Sequence, residues 1–183
     1  SDEFSKEDIN RLKPHAGINQ NLLRKRAEML ETQARQLRWL AATVHERATQ
    51  DALTKELDQD EPKIDLLRAA LLIARLDNGE IEIEHYLKTV GSMAATIQSA
   101  LKPKATEKDK LEAVGRYMFE QSGFHGSRGD YYNRANSYLN EVIDDREGIP
   151  ITLAVLYMEI VNRLGIPLQG IPLPGHFAVG IID

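Results

Sequence analysis

The chain has 183 residues, of which 42% are hydrophobic, and a formal net charge of −5 at pH 7. A chain of this length can bury one substantial core, or a small core together with a helical extension. The acidic balance gives no electrostatic reason to expect nucleic acid as a partner. No apolar stretch reaches the roughly 18 residues that a membrane-spanning helix needs, so we expect no membrane partner either.

The sequence contains no cysteine. It therefore offers no thiol for nucleophilic catalysis or for metal binding. The absence of disulfides is compatible with a cytoplasmic location, which we predict. We also predict that the domain uses neither a metal nor another cofactor.

The first 60 residues predict a helical extension. Residues 1–16 are polar and are typical of a mobile lead-in or a short helix. A long helix follows, from about Asn19 to Leu57, because apolar residues recur at alternating spacings of four and three, which places them on one stripe. Half of the stripe is alanine, so we expect close packing within the molecule; the alternative is a seam that pairs two copies of the chain as a homo-oligomer. The stripe comprises Leu23, Ala27, Leu30, Ala34, Leu37, Ala41, Val44 and Ala48.

Three further helices are predicted between residues 61 and 122. The segment Ile64–Leu76 begins with Asp65 in its first turn and stops before Asn78-Gly79. The second helix covers Glu82–Leu101. Thr106 and Asp109 resemble a capping box, and they open a third helix that passes through the apolar positions Leu111, Val114, Met118 and Phe119.

The segment Ser122–Asn133 is rich in glycine and in side chains that can recognise a ligand, so it could line a cleft. The alternative is an ordered connection whose aromatic side chains fill the core. After it, Asn136 or Ser137 is expected to cap a short helix, Tyr138–Asp145. The candidate binding residues of the loop are His125, Arg128, Asp130, Tyr131 and Tyr132.

The segment Asp145–Val179 contains the pattern most informative about function. Pro150 suits the first turn of a helix, and the nearly uninterrupted apolar run after it predicts a buried helix over Pro150–Leu164. Gly165 lies where a left-handed cap is expected. A strand, a tight turn at Pro174-Gly175 and a second strand follow, and His176 begins the second strand.

The order of glycine, buried helix, Gly-Ile-Pro and strand-borne histidine resembles the transglutaminase-like fold of the papain-like group. The stretch NSYLNEVIDDREGIPITLAVLYMEIVNRLGIPLQGIPLPGHFAV is most similar to the transglutaminase-like domain of the SirB/YchA-type bacterial proteins, which is also present in a eukaryotic F-box protein. The resemblance covers roughly Ile64–Ile182. It implies a predominantly helical α+β fold, in which a buried helix packs on a small antiparallel sheet.

On this basis we expect an extension over 1–60 and a transglutaminase-like domain over 61–183, with a helical lead-in at 61–122 and a core at 123–183. The chain begins at Ser1 and stops at Asp183 inside a predicted strand. We therefore expect the core to be incomplete at its C-terminus.

The resemblance also implies a site. Catalytic members carry Gly-x-Cys at the start of the helix, and the spacing of 17 residues between the two family glycines matches Gly148 and Gly165. Pro150 then occupies the cysteine position, where it is a further candidate binding residue, and His176 matches the family's histidine. The third member, an acid on the next strand, is expected beyond the end of the chain, because Asp183 lies roughly 23 Å along an extended strand from His176.

Two other chemistries are weaker candidates. Thr152, in the first helical turn, could act as a nucleophile with His176 as its base, although a threonine there usually bonds a backbone group. A metal held by His125 and His176 lacks the acids that would normally accompany them. We therefore predict a non-catalytic domain for protein recognition or regulation, and the alternative is a hydrolase or acyl-transfer enzyme that uses His176 with a hydroxyl or water.

Overall fold

The computed structural model describes residues 4–127, 129–130, 132–174 and 176–181. By its internal contacts the chain divides into two units, Ser1–Arg47 and Ala48–Asp183. The division falls inside a long helix, because Thr49 is buried and Leu53 packs against the core of the second unit.

The first unit contains helix α1, Lys6–Leu12, and most of helix α2, Ala16–Leu57. Ser5 caps α1 in a reciprocal pair, since its hydroxyl accepts from the Asp8 N–H at 3.1 Å and the Asp8 carboxylate accepts from the Ser5 N–H at 3.1 Å. A short 3₁₀ turn, Lys13–His15, joins the helices. The prediction of one long helix that ends at Leu57 is confirmed.

The expectation that the stripe of α2 packs closely within the molecule is wrong. The exposed fractions of Leu23, Leu30, Leu37 and Val44 are 57%, 49%, 67% and 60%. Thr49 is the one fully buried residue of α2, every residue of which is described. The 4–3 spacing places side chains on one face of a helix, but it does not say whether this chain supplies the element that covers that face.

Five helices form most of the second unit. They are α3 (Leu66–Asp77), α4 (Ile83–Ala100), α5 (Glu107–Gly115), α6 (Leu139–Asp145) and α7 (Pro150–Arg163). Asp65 caps α3 by accepting from the Arg68 N–H at 2.9 Å. The capping box predicted at Thr106 and Asp109 is present. The predicted start of α7 at Pro150 and the left-handed Gly165, with φ of +83°, are also confirmed.

The segment between α5 and α6 differs from the prediction in two ways. After α5 the chain widens into a π-helical segment, Arg116–Gln121, which buries Met118 and leaves Phe119 48% exposed. Adjacent residues of a helix point in different directions, so both cannot enter the core, and Phe124 fills it instead. The predicted cap of α6 is also wrong, because Asn136 and Ser137 lie in a 3₁₀ turn, Arg134–Ser137, and α6 begins without a side-chain cap.

Two small sheets complete the second unit. Strands β1 (His125–Gly126) and β2 (Glu147–Gly148) pair in parallel, and this pair was not predicted. Strands β3 (Leu168–Leu173) and β4 (His176–Ile181) form the predicted antiparallel ribbon, in which Leu173 pairs with His176 and Leu168 with Ile181.

Helix α7 lies at the centre of the core. It contacts α3, α4, α5, α6 and both strands of the ribbon. Leu156, Ile160 and Val161 of α7 are completely buried, as are Leu67 and Leu71 of α3. The fold is therefore predominantly helical α+β, with a buried helix on a small antiparallel sheet, as the sequence implied.

Candidate functional site

The candidate site lies where α6, β2 and α7 meet. The N–H of His125 donates to the carbonyl of Arg146 at 2.9 Å, and the N–H of Ser127 donates to the carbonyl of Gly148 at 3.0 Å. These bonds tie the loop after α5 to the segment that leads into α7, and β1 also contacts α7. The loop and the start of α7, which are more than 20 residues apart in sequence, are thus neighbours in the fold.

Gly148 has no room for a side chain. A Cβ built on it would lie 2.8 Å from Oγ1 of Thr152 and 3.0 Å from both methyl carbons of Val142. Such contacts are shorter than van der Waals distances. The backbone at position 148 therefore lies directly against α6 and the first turn of α7, and only glycine fits there without a shift.

Pro150, two residues after Gly148, is the first residue of α7 and is exposed. Its missing N–H costs nothing at this position, because the first N–H groups of a helix have no partner within the helix. The pyrrolidine ring carries no group that can act as a nucleophile, acid or base.

Thr152 is buried, and its hydroxyl is held by the backbone. Its Oγ1 lies 2.9 Å from the carbonyl oxygen of Asn136 and 3.0 Å from that of Ile149. A hydroxyl has one proton to donate, and both neighbours are acceptors, so that proton is committed to this pair. The carbonyl of Asn136 also accepts from the Ile149 N–H at 3.2 Å. Through these hydrogen bonds, Thr152 fixes the first turn of α7 to the 3₁₀ turn that contains Asn136.

His176 begins β4 and is exposed. Phe177 and Val179 of the same strand pack against the core. Because side chains alternate along a strand, His176 lies on the other face of the ribbon, together with Ala178. The catalytic role predicted for His176, with or without Thr152, stays a prediction.

The candidate binding residues of the loop are placed differently from one another. His125 is half-buried in β1, and its Nδ1 lies 3.1 Å from the carbonyl oxygen of Gly126. Asp130 is exposed, and its backbone carbonyl accepts from the Asn136 side chain at 2.8 Å. Tyr132 is 90% exposed, so it does not fill the core. Arg128 and Tyr131 lie outside the described residues.

Sequence reasoning missed two residues that build the junction. Arg146 adopts a left-handed conformation, with φ of 61°, and its Nη1 donates to the carbonyl of Ser122 at 2.7 Å. Asn136 links the loop to α7 through its side chain and its carbonyl. Neither role has a sequence signal. Left-handed positions favour glycine or asparagine over arginine, and the bonds of Asn136 join segments whose proximity the sequence does not show.

One buried carboxyl group lies elsewhere on α7. Burial and, less strongly, the charge of Asp65 raise the pKa of Glu159 to about 7, against the opposing effect of Arg163 one turn away. Within the described ranges, no group of three or more histidine, aspartate or glutamate side chains is arranged to hold a metal ion. None of the described helices is long and apolar enough to cross a membrane.

Comparison with known proteins identifies the family. The chain is 40% identical over 120 residues to a UPF0162 protein of Xylella fastidiosa, which covers 66% of this chain and 43% of that protein. It is 29% identical over 124 residues to a UPF0162 protein of Vibrio cholerae, covering 68% of this chain and 46% of that protein. It is also 42% identical to human F-box only protein 21 over 67 residues, which are 37% of this chain and 11% of that protein.

The chain thus spans less than half of the length of these relatives. No solved structure matches it significantly. Residues 84–183, more than half of the chain, match the family model described as the transglutaminase-like superfamily. The fold around α7, the strand-borne histidine and this match agree, and the chain belongs to the transglutaminase-like superfamily.

Proposed function

We propose that this domain is a non-catalytic member of the transglutaminase-like superfamily, of the SirB/YchA type, and that it serves protein recognition or regulation. The observation that carries the proposal is Pro150. It stands two residues after the sterically required Gly148, where catalytic members of the superfamily have cysteine, and the sequence contains no cysteine at any other position. A cytoplasmic location stays a prediction.

The alternative is an enzyme that uses a hydroxyl or water with His176. Two observations weigh against it. The proton of Thr152 is committed to backbone carbonyls, and His176 lies on the ribbon face opposite the side chains that pack against the core. An activated nucleophile needs a base within hydrogen-bonding distance, about 3 Å.

The recognition surface we propose is the loop from Phe124 to Tyr132. Among its described residues, the N–H groups of His125 and Ser127 bond the carbonyls of residues 146 and 148, and the carbonyl of Asp130 bonds Asn136, which also holds the start of α7. Tyr132 and Asp130 are exposed on it. Exposed aromatic residues are enriched among residues that dominate binding energy at protein interfaces.

The recognition arm of the test is a phage-displayed random peptide library, panned against the whole chain. We expect enriched peptides that lose at least about tenfold in affinity when Tyr132 is changed to alanine, because truncating a dominant interface side chain costs more than about 1.4 kcal/mol. His176→Ala is the matched control and should leave binding unchanged. Failure to enrich any binder, or loss of binding only in His176→Ala, would contradict the proposal.

The catalytic arm uses a fluorophosphonate probe and an activated acyl ester on the same folded sample. We expect no labelling above that of the heat-denatured protein. Labelling of the wild type that disappears in both His176→Ala and Thr152→Val would establish the enzyme instead. Labelling that survives both substitutions would identify a different hydroxyl and would equally overturn the non-catalytic assignment.

A further inference from the structure

A second cleft lies away from the junction of α6 and α7. It is formed by the turn between α3 and α4, the first turn of α4 and one face of α6, and it has a volume of about 490 Å³. The residues that give it its chemistry are Glu80, Glu82, Tyr86, Asn140, Glu141 and Asp144. The α7 start and the ribbon contribute no residue to it among those described.

The cleft is strongly acidic. Four carboxyl groups and the imidazole of His85 line it, and none of its described lining residues is a lysine or an arginine. In the part of the chain that the structure describes, none of these four carboxylates forms an ion pair. Such a concentration of like charge in a concave site attracts a cation.

The Tyr86 hydroxyl in the cleft also disfavours a negatively charged ligand. The Tyr86 hydroxyl donates to Oδ2 of Asp144 at 2.6 Å, so its proton is not available to an anionic ligand. Burial, the hydrogen bond to Asp144 and the negative charges of Asp144 and Glu141 together raise the pKa of Tyr86 to about 12. The local environment thus disfavours any additional negative charge.

Asn140 supplies an independent observation. The residue is 3% exposed, and its amide nitrogen donates to Oε1 of Glu141 at 2.9 Å. Its amide oxygen, also buried, accepts no hydrogen bond from any described residue. A buried acceptor without a donor costs about 1–3 kcal/mol, so it marks a place where a ligand donor would be stabilising.

We propose that this cleft binds a guanidinium group, supplied by an arginine side chain of a partner or by a small guanidine. A guanidinium carries five N–H donors in one plane, so it can serve Asn140 and two carboxylates at once, whereas an ammonium offers three donors from a single point. Because the Asn140 oxygen is buried, binding includes a side-chain rotation that uncovers it. The inference concerns a site separate from the recognition loop and does not depend on whether the domain is catalytic.

The test is a titration of the whole chain with acetyl-Gly-Gly-Arg-Gly-Gly-amide, followed by NMR of the Asn140 side-chain amide and the Tyr86 ring. We expect saturable shifts at both groups. The matched peptide with citrulline, which has the same shape but no charge, should bind at least about tenfold more weakly, since hydrogen bonds to charged groups are worth about 1.5–3 kcal/mol. A titration with free arginine distinguishes a partner's arginine side chain from a small guanidine. Stronger binding of the peptide than of free arginine indicates a protein side chain, and equal binding indicates a small guanidine.

Substitutions test the location. Asp144→Asn and Glu82→Gln remove one charge each from the cleft and should each weaken binding of the arginine peptide severalfold. Glu120→Gln makes the same charge change at an exposed position outside the cleft and should not. Thermal melts check that each variant is folded. If Asp144→Asn does not fold, Glu82→Gln still tests the location of the site.

Three results would overturn the proposal. The citrulline or lysine peptide could bind as tightly as the arginine peptide, which would remove the role of the guanidinium. Glu120→Gln could weaken binding as much as the cleft variants do, which would indicate general charge attraction. The arginine peptide could leave Asn140 and Tyr86 unshifted at millimolar concentration.

Discussion

At the scale of single residues, Gly148 is a position before α7 that has no room for a Cβ. It lies between the methyl groups of Val142 on α6 and the hydroxyl of Thr152 on α7. The Thr152 hydroxyl is itself fixed by the carbonyls of Asn136 and Ile149. A change at position 148 therefore disturbs two helices and the β1–β2 pair together.

Gly148→Ala should lower the free energy of unfolding by about 1–3 kcal/mol, because the new methyl group must displace Val142 or break the Thr152 hydrogen bonds. Urea denaturation followed by circular dichroism measures the change. Gly126→Ala is the matched control, since Gly126 is the neighbour of Gly148 across the parallel pair and a Cβ there meets nothing within 4 Å. Equal stability of the two variants would contradict this prediction, because it would show that a methyl group fits at position 148 without a cost in stability.

At the scale of elements, helix α2 is exposed along most of its length, and Thr49 is its one buried residue. Its stripe of leucine, valine and alanine has the 4–3 spacing of a coiled-coil seam, and the exposed fractions of its large members lie between 49% and 67%. We propose that this stripe pairs with the same stripe of a second copy of the chain. Alanine at alternate seam positions lets two helix backbones approach closely, which suits a helix–helix partner.

Light scattering coupled to size exclusion tests the pairing. We expect a dimer for the wild type and a monomer for the double variant Leu30→Glu/Leu37→Glu, because burying two unpaired charges in a seam is unfavourable. Trp39→Glu is the control. Trp39 is also exposed, but it is two residues from Leu37, which rotates it by about 200° around the helix. A monomeric wild type, or a monomeric Trp39→Glu variant with a dimeric double variant, would contradict the proposed seam.

The predicted elements matched the structure best where their signals were local. Asp65, Thr106 and Pro150 each mark a helix start through groups within a few residues of one another, and all three starts are present. The cap expected at Asn136 or Ser137 failed because both residues lie in a 3₁₀ turn, and α6 begins at Leu139 without a side-chain cap. A capping residue can be recognised in a sequence, but the turn that shifts the start of the helix past it cannot.

At the scale of the whole molecule, the stability of the second unit should depend on Glu159, which is 9% exposed in the central helix. Its pKa is raised from 4.5 to about 7, first by burial and then by Asp65, while Arg163 lowers it. A raised folded-state pKa means that the protonated form favours folding. That contribution is complete below about pH 4.5 and is lost as the pH rises through about 7.

Comparing Glu159→Gln with the wild type isolates this effect. The substitution should remove a decline of about 3 kcal/mol in the free energy of unfolding between pH 5 and pH 8, at about 1.4 kcal/mol per pKa unit. Chemical denaturation at several pH values measures it, with the exposed Glu120→Gln as the control that keeps the wild-type slope. Parallel pH profiles for the wild type and Glu159→Gln would show that Glu159 titrates normally.

The sequence by itself determined the order of the elements, the long helix, the buried helix α7, the β3–β4 ribbon and the superfamily, because each rests on periodicity, caps and spacings among neighbouring residues. Only the tertiary structure decided which distant segments of the chain are in contact. It paired His125 with Glu147, held Thr152 on the carbonyl of Asn136, left the stripe of α2 exposed and joined Glu80 and Glu82 to the face of α6. These outcomes depend on contacts between segments far apart in the chain, whose geometry is set by packing and not by local pattern.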